Sequence, residues 1–353
     1  MSGERIFTWR NVLINTGLVL LSGLISLVAL EWGVRVLFPT YDPTGMVKFS
    51  YNAEGVLLGE KNTVSHQWMK AGDFDVTVRF NRYGLRDTKD LRFSTADDLF
   101  VVGDSFSFGH GVEEADRYSN VLQRLTGIPV YNISIPSDFD GYEKLILYAQ
   151  RRGATIERLI LSVCMENDLK QYQLNPSPEP LPSEPSPYYT KVNENAFFRL
   201  KIFLGKTSAL YNMLISLFHQ QPFLQQIAVR LGIMDAYADG VSRSVYAESV
   251  LKRSAERLRL IQRRHTLEQM TVLIIPSRAL WVGENREVES RVHTEFVSLL
   301  EAQGLDVVDL RPHFEANGDP LSYHFAHDGH WNERGHRKAA EVLLAHLSRK
   351  NRL

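Results

Sequence analysis

Only one cysteine, Cys164, occurs in the 353 residues, so no disulfide can form within the chain. It falls in the apolar stretch Leu159-Ile160-Leu161-Ser162-Val163-Cys164, where a small core residue is expected rather than a reactive thiol. Net charge is equally scarce. Forty Lys and Arg stand against 41 Asp and Glu, a formal balance of −1, and so small a charge excludes the basic field that nucleic-acid binding requires. No internal repeat is visible, which excludes a solenoid or propeller. Charge is missing altogether from residues 12–30, VLINTGLVLLSGLISLVAL.

That last absence is the informative one. A helix of nineteen residues spans about 28 Å, close to the hydrocarbon thickness of a bilayer. Arg5 and Arg10 precede the run, and Glu31, Trp32 and Arg35 follow it, which puts charge at both interfaces and an aromatic at the far one. A cleaved signal peptide would have a shorter apolar core followed by a small-x-small site, and Glu31-Trp32-Gly33-Val34-Arg35 is no such site. The reading is therefore an uncleaved single-pass anchor in contact with membrane lipid through residues 12–30. The N-terminus is expected inside, and the remaining chain on the extracytoplasmic, periplasmic side of an inner or plasma membrane.

Beyond the anchor, residues 39–72 read as mixed and loop-like, and 74–80 alternate apolar and polar as a strand does. Strand patterns then recur at 99–102, 129–133, 159–163, 271–275 and 307–310. Helical patterns lie between and after them at 119–125, 142–152, 286–303 and 333–347. Such alternation predicts an α/β domain with a central parallel sheet covered by helices on both faces. Ligand sites in these sheets lie beyond the carboxyl ends of strands. Two chemically suggestive segments fall there: Gly103-Asp104-Ser105-Phe106-Ser107 after the first core strand, and Met165-Glu166-Asn167-Asp168 after the third.

Between residues 169 and 240 the alternation stops. Six prolines from Pro176 to Pro187 preclude helix and central strand alike. An apolar, helix-prone stretch follows at 196–234, readable as a cap on the core or as a lid or membrane-surface helix. Residues 242–265 are rich in Arg, Lys and Glu and read as a solvated helix returning to the core. The chain thus divides into residues 1–38 (tip and anchor), 39–96 (an extension with a hairpin) and 97–353 (the α/β domain, interrupted at about 169–240).

A serine on the turn after a buried strand can act as a nucleophile if an imidazole takes its proton and a carboxylate orients the imidazole. Asp328-Gly329-His330-Trp331-Asn332, near the C-terminus, supplies both partners. Ser105, His330 and Asp328 are the candidate catalytic residues. Strand, Gly-Asp-Ser, Asn167-Asp168 and a late Asp-x-His, in that order, resemble the SGNH (GDSL-type) hydrolase family over roughly residues 97–347. The resemblance implies a three-layer SGNH/flavodoxin-like sandwich and an oxyanion hole built from the amides of Ser105 and Ser137 and the side chain of Asn167. The chain departs from the family pattern at two glycines. Ser137 stands at the glycine of Asn132-Ile133-Ser134-Ile135-Pro136-Ser137, and Met165-Glu166 precedes Asn167 where glycine is usual. The Asp-x-His spacing resembles acetyltransferase-like relatives that work on exported polysaccharide. The segment Asn81-Arg82-Tyr83-Gly84-Leu85-Arg86 resembles an Asn-x-x-Gly-x-Arg element of anchored members, either a packed turn or a substrate-facing one.

Other histidines were weighed for the same chemistry. His110 lies only five residues from Ser105 and would have to fold back tightly. His324-Phe325-Ala326-His327-Asp328-Gly329-His330 holds metal-type ligands, but Asp328-Gly329 is a turn signal and no matching cluster exists elsewhere, so neither metal nor other cofactor is expected. His336 reads as structural, near the start of a helix that Asn332 could cap. Two functions remain open. One is an anchored serine esterase or O-acyltransferase acting on acyl esters of envelope carbohydrate or lipid. The other is an inactive SGNH-like subunit that binds glycan or packs in a membrane complex.

Overall fold

The computed structural model describes residues 9–169, 196–221, 223–224, 227, 248–283 and 285–352. The first element, α1 (Trp9–Leu37), continues seven residues past the charge-free run and is long and apolar enough to cross a membrane. The protein buries none of its apolar window.

Residues 39–72, expected as loop, carry three strands. β1 (Phe49–Tyr51) pairs antiparallel with β2 (Leu57–Gly59). β3 (Val64–Trp68) pairs with β4 (Asp75–Arg79), the strand expected from alternation. β1 and β2 have three residues each, too few for a period of two to register. In β3 the pattern is inverted, with Val64 62% exposed.

The core strands are β5 (Leu99–Val102), β6 (Val130–Asn132), β7 (Arg158–Cys164), β8 (Gln269–Ile275) and β9 (Asp306–Asp309). They form one parallel sheet in the order β6-β5-β7-β8-β9. Alternate residues of each strand feed two separate apolar layers. Phe100, Val102, Leu159 and Leu161 pack with α4 (Phe139–Arg151), and α7 (Glu248–Arg264) and α8 (Arg286–Ala302) complete that layer. Leu99, Val101 and Ile160 face α3 (Tyr118–Thr126) and α10 (Glu333–Arg349). The result is the expected α/β three-layer sandwich. Cys164 is buried at the end of β7.

Between α4 and α7 the described part of the insertion forms α5 (Ala196–Thr207) and α6 (Ala209–Gln220). The proline-rich segment lies outside the described residues. The helix expected to be solvated, α7, is amphipathic: it buries Val250, Leu251, Leu258 and Ile261, and with them Arg257, which pairs with Asp140 and Glu143 of α4. Its charged residues concealed that apolar stripe.

Candidate active site

Two short elements complete the inventory, α2 (Ser105–Phe108) directly after β5 and α9 (Arg311–Glu315) after β9. Ser105 is thus the first residue of a one-turn helix at the carboxyl edge of the sheet. Asp104 caps that turn, its Oδ1 accepting from Phe106 N at 3.0 Å. Gly103 permits the sharp exit from β5, since a Cβ there would strike the Ser162 and Ser107 hydroxyls. Those hydroxyls bond each other, and Tyr118 Oη joins Ser107 at 2.8 Å, so the floor beneath the turn is polar but satisfied.

The structure brings Ser105, His330 and Asp328 into one hydrogen-bonded line. Ser105 Oγ lies 2.7 Å from His330 Nε2, and His330 Nδ1 lies 2.5 Å from Asp328 Oδ1. The same carboxylate oxygen accepts from His330 N at 2.8 Å, which explains why a two-residue spacing suffices: the loop folds the aspartate back onto its own histidine. Burial would raise the Asp328 carboxyl, but the hydrogen bond and charge of His330 outweigh it and hold it well below the usual carboxylate range. An ionised Asp328 places the proton on Nδ1 and leaves Nε2 to accept from the serine hydroxyl.

His110 does fold back. Its amide and that of Gly109 both donate to Ser105 O, at 3.0 Å each, and Gly109 makes the reversal at φ 83°. The ring does not reach Ser105 in place of His330. It stacks on His330 with centroids 4.1 Å apart, and its Nε2 stands 3.8 Å from Asp328 Oδ2. Gln67 of β3 donates from Nε2 to His110 Nδ1 at 2.8 Å and accepts Gly111 N at 3.0 Å. That bond puts the His110 proton on Nε2, toward the carboxylate. Burial and the neighbouring His330 push His110 down to about 3, so the ring is neutral.

The other histidines go elsewhere. His324 is buried against Trp281 and Phe314 and is pushed down to about 3 by burial. His327 bonds Asp73. His336 accepts from Tyr118 N at 3.3 Å under a helix that Asn332 caps. The seven-residue cluster therefore does not converge. A different trio, His110, Asp328 and His330, sets ligand-type atoms within 4.8 Å of one another, and among the described residues it is the set that could hold a metal. Ligation through either nitrogen of His330 would, however, take it from Asp328 or from Ser105.

The three expected oxyanion donors are placed as follows. Asn167 follows β7, and its Nδ2 donates to Asp104 Oδ2 at 3.3 Å, beside the serine turn, while its buried Oδ1 makes no hydrogen bond to the described residues. Ser137 sits in the loop after β6. Its hydroxyl donates to Ile135 O at 2.9 Å, and its Cβ closes on Gly141 of α4. Ser105 contributes the first amide of α2. Asp168 supports Asn167 from below, accepting from Tyr142 Oη at 2.9 Å and from Cys164 N at 2.8 Å. Burial and the charge of Asp104 push Asp168 well up, and burial also raises Asp104.

Arg86 resolves the Asn-x-x-Gly-x-Arg element. Its side chain is fully buried and donates to the carbonyls of Phe108, Gly109, Val112 and Thr77. It is a strut for the serine turn and does not face substrate. Asn81 Oδ1 shapes the turn by accepting from Tyr83 N and Leu85 N. Asn132 has a similar task, donating from Nδ2 to Ser107 O and Ser119 Oγ. Gln67 was not legible in the sequence, because β3 was not.

Comparison with known proteins adds the following. Residues 246–353 match the family described as "SGNH hydrolase-like domain, acetyltransferase AlgX". No curated protein matches the chain. Among solved structures, the chain is similar to a lipolytic G-D-S-L family member from Veillonella parvula DSM 2008, at 13% identity and TM-score 0.41, over 71% of this chain and 98% of that one. It is also similar to a putative lipolytic G-D-S-L protein from Desulfitobacterium hafniense DCB-2, at 10% identity and TM-score 0.39, over 71% and 99%. The lipase Lip_vut3 from a goat rumen metagenome gives 14% identity and TM-score 0.38, over 70% and 96%. These structural likenesses are too distant to carry roles for individual residues. The family match covers residues 246–353, which include Asp328 and His330 but not Ser105, so it is a likeness of that part of the chain.

Proposed function

We propose that the protein is a membrane-anchored serine esterase or O-acyltransferase acting on acyl, chiefly acetyl, esters of envelope carbohydrate or lipid. One observation carries the reading: the Ser105–His330–Asp328 line, with 2.7 Å and 2.5 Å links, in an SGNH hydrolase-like domain. Ser105 Oγ attacks the ester carbonyl while His330 Nε2 takes its proton, and Asp328 stabilises the imidazolium. The tetrahedral oxyanion is met by the Ser105 and Ser137 amides and by the second Nδ2 hydrogen of Asn167. His330 then returns the proton to the departing alcohol, leaving an acyl-serine. Water or a sugar hydroxyl, deprotonated by His330, attacks the acyl carbon and regenerates Ser105 Oγ–H.

The choice of envelope material rests on α1 as an anchor with the domain on the extracytoplasmic side, and on the acetyltransferase-type family match. The test is labelling of the purified protein by a fluorophosphonate probe, with Ser105→Ala as control, alongside turnover of acetyl esters of sugars. Labelling of wild type alone, with turnover, supports an enzyme.

The accessory reading rests on Ser137 and Glu166, two positions beside the proposed oxyanion donors where the chain departs from the family's glycine pattern. No probe labelling and no turnover across acyl sugars would select that reading.

A further inference from the structure

Helix α6 is packed the wrong way round for a protein in water. Its inward stripe is polar. Asn212 and Ser216 are 2% and 1% exposed. Asn212 Nδ2 donates to Tyr41 O, and Ser216 Oγ and Gln220 Nε2 both donate to Lys70 O. Its outward stripe holds Leu214 and Leu217, 45% and 42% exposed. On α5, Leu200 and Phe203 are 50% and 61% exposed. A soluble helix does the opposite, placing apolar residues inward and polar ones out.

The hairpin is also fastened at a definite height. Glu31, the first residue after the charge-free run, caps α6: its carboxylate accepts from Ser208 Oγ, Ala209 N and Leu210 N at 2.8–3.0 Å. One turn further along α1, Arg35 pairs with Glu31 at 2.8 Å and donates to Thr207 O at 2.7 Å. The α5–α6 turn is thereby tied to the end of the apolar span, at the depth of the headgroups. Residues 196–234 also contain four Lys or Arg and no Asp or Glu. A segment whose sequence combines apolar residues with an excess of positive charge has the composition of an interfacial helix on anionic lipid.

We infer that α5 and α6 are a second membrane contact, lying on an anionic phospholipid surface with Leu200, Phe203, Leu214 and Leu217 in the headgroup–acyl boundary. The inference rests on α1 spanning the bilayer. The surface is continuous with that span, so the same lipid covers both. One consequence concerns the site. The polar stripe of α6 grips Lys70 O, three residues from Gln67, which bonds His110. The membrane contact would therefore hold the serine site in a fixed pose above the bilayer, suited to an acyl ester presented at the membrane.

The test uses the full chain in vesicles of phosphatidylcholine and phosphatidylglycerol. An environment-sensitive NBD label is placed on Phe203→Cys and Leu217→Cys, with Leu18→Cys and Lys61→Cys as references; the native Cys164 is buried. At 203 and 217 the emission should be lost to shallow doxyl-lipid quencher and resist aqueous iodide, whereas at 61 iodide should quench. Quenching at 203 and 217 by iodide, with position 18 still quenched by deep doxyl lipid, would overturn the inference and leave the anchor standing. Shielding of 203 and 217 from both quenchers would also overturn it, assigning the stripe to a second copy of the chain. Loss of lipid quenching at 18 would remove the anchor reading itself, and the inference with it.

Discussion

The rings of His110 and His330 are stacked, 4.1 Å between centroids and 26° between planes, and both turn a nitrogen toward Asp328. Asp328 thus faces two imidazoles, one for each carboxylate oxygen. His330 takes Oδ1 in a short hydrogen bond, and His110 approaches Oδ2 at 3.8 Å. The second imidazole is set by Gln67, so the N-terminal extension, which also supplies Phe74 against the His110 ring and Arg86 beneath the serine turn, helps to build the site.

That relationship makes His110 a positioning residue. At 3.8 Å the Nε2–Oδ2 contact is too long for a hydrogen bond and is worth less than the roughly 0.5–1.5 kcal/mol of one, so His110→Phe, which keeps the stack and loses the nitrogens, should lower kcat/KM by less than roughly 10-fold. Because burial holds His110 neutral, with its transition near 3, the acidic limb of the pH–rate profile should keep its slope in that variant. His110→Arg sets a permanent cation against His330 and should move the limb to lower pH. A profile identical to wild type in both variants would show that the stack has no catalytic consequence.

Turnover of a small acetyl ester should disappear in Ser105→Ala with thermal stability nearly unchanged, because the hydroxyl's partner is His330 and not the core. Asn167→Ala should slow the reaction by roughly 100- to 1000-fold, the usual loss for one oxyanion donor. Ser137→Gly should be tolerated, since only its backbone amide has a role in the proposed mechanism. Steady-state kinetics on the three variants, with melting curves, checks the set. Activity surviving in Ser105→Ala would dispose of the mechanism.

Arg86 should matter for folding more than for chemistry. Truncation to Ala strips four carbonyls, three of them buried, of a charged donor, at about 1–3 kcal/mol for each buried group left unsatisfied, with relaxation and entering water recovering part. Denaturant titration should show a loss of several kcal/mol, and Arg86→Lys an intermediate value. A neutral Arg86→Ala would mean the serine turn holds itself.

Stability should fall in acid through Glu143. Burial acts to raise this carboxyl, but the nearby His265, at 3.5 Å, and Arg257 outweigh it and lower it to about 2. A depressed carboxyl contributes fully above its unfolded value and loses that contribution as pH drops toward 2. Chemical denaturation between pH 5 and about 2 should show a decline that is shallower in Glu143→Gln. Parallel curves would place the acid lability elsewhere.

The topology is testable by thiol accessibility in sealed, oriented membranes. Arg5→Cys should react only with reagent on the cytoplasmic side, and Lys61→Cys only from the other. Both reacting from one side would remove the span, and with it the envelope substrates proposed above.

Much of the fold was written locally. Every core strand read from an apolar run is found within two residues of its expected ends, because a strand buried on both faces must be apolar throughout. The long apolar N-terminal helix was equally plain, since an unbroken charge-free run of that length is the composition of a candidate membrane span. Gly103-Asp104-Ser105 and Asp328-Gly329-His330 each declared themselves by a turn signal at a strand edge or before a helix. What no local pattern carried were the contacts made across the fold. Gln67 reaches His110 over 43 residues, Arg86 holds carbonyls more than 20 residues away, and Glu31 caps a helix that begins 178 residues later. The strand that bears Gln67 was hidden because its exposed and inward residues do not sort by polarity. The sequence by itself determined the layers, the long apolar N-terminal helix and the chemical types available at the site. Only the tertiary structure decided which imidazole meets Ser105, because two histidines of similar chemistry compete for that place, and packing of loops distant in sequence settles the geometry.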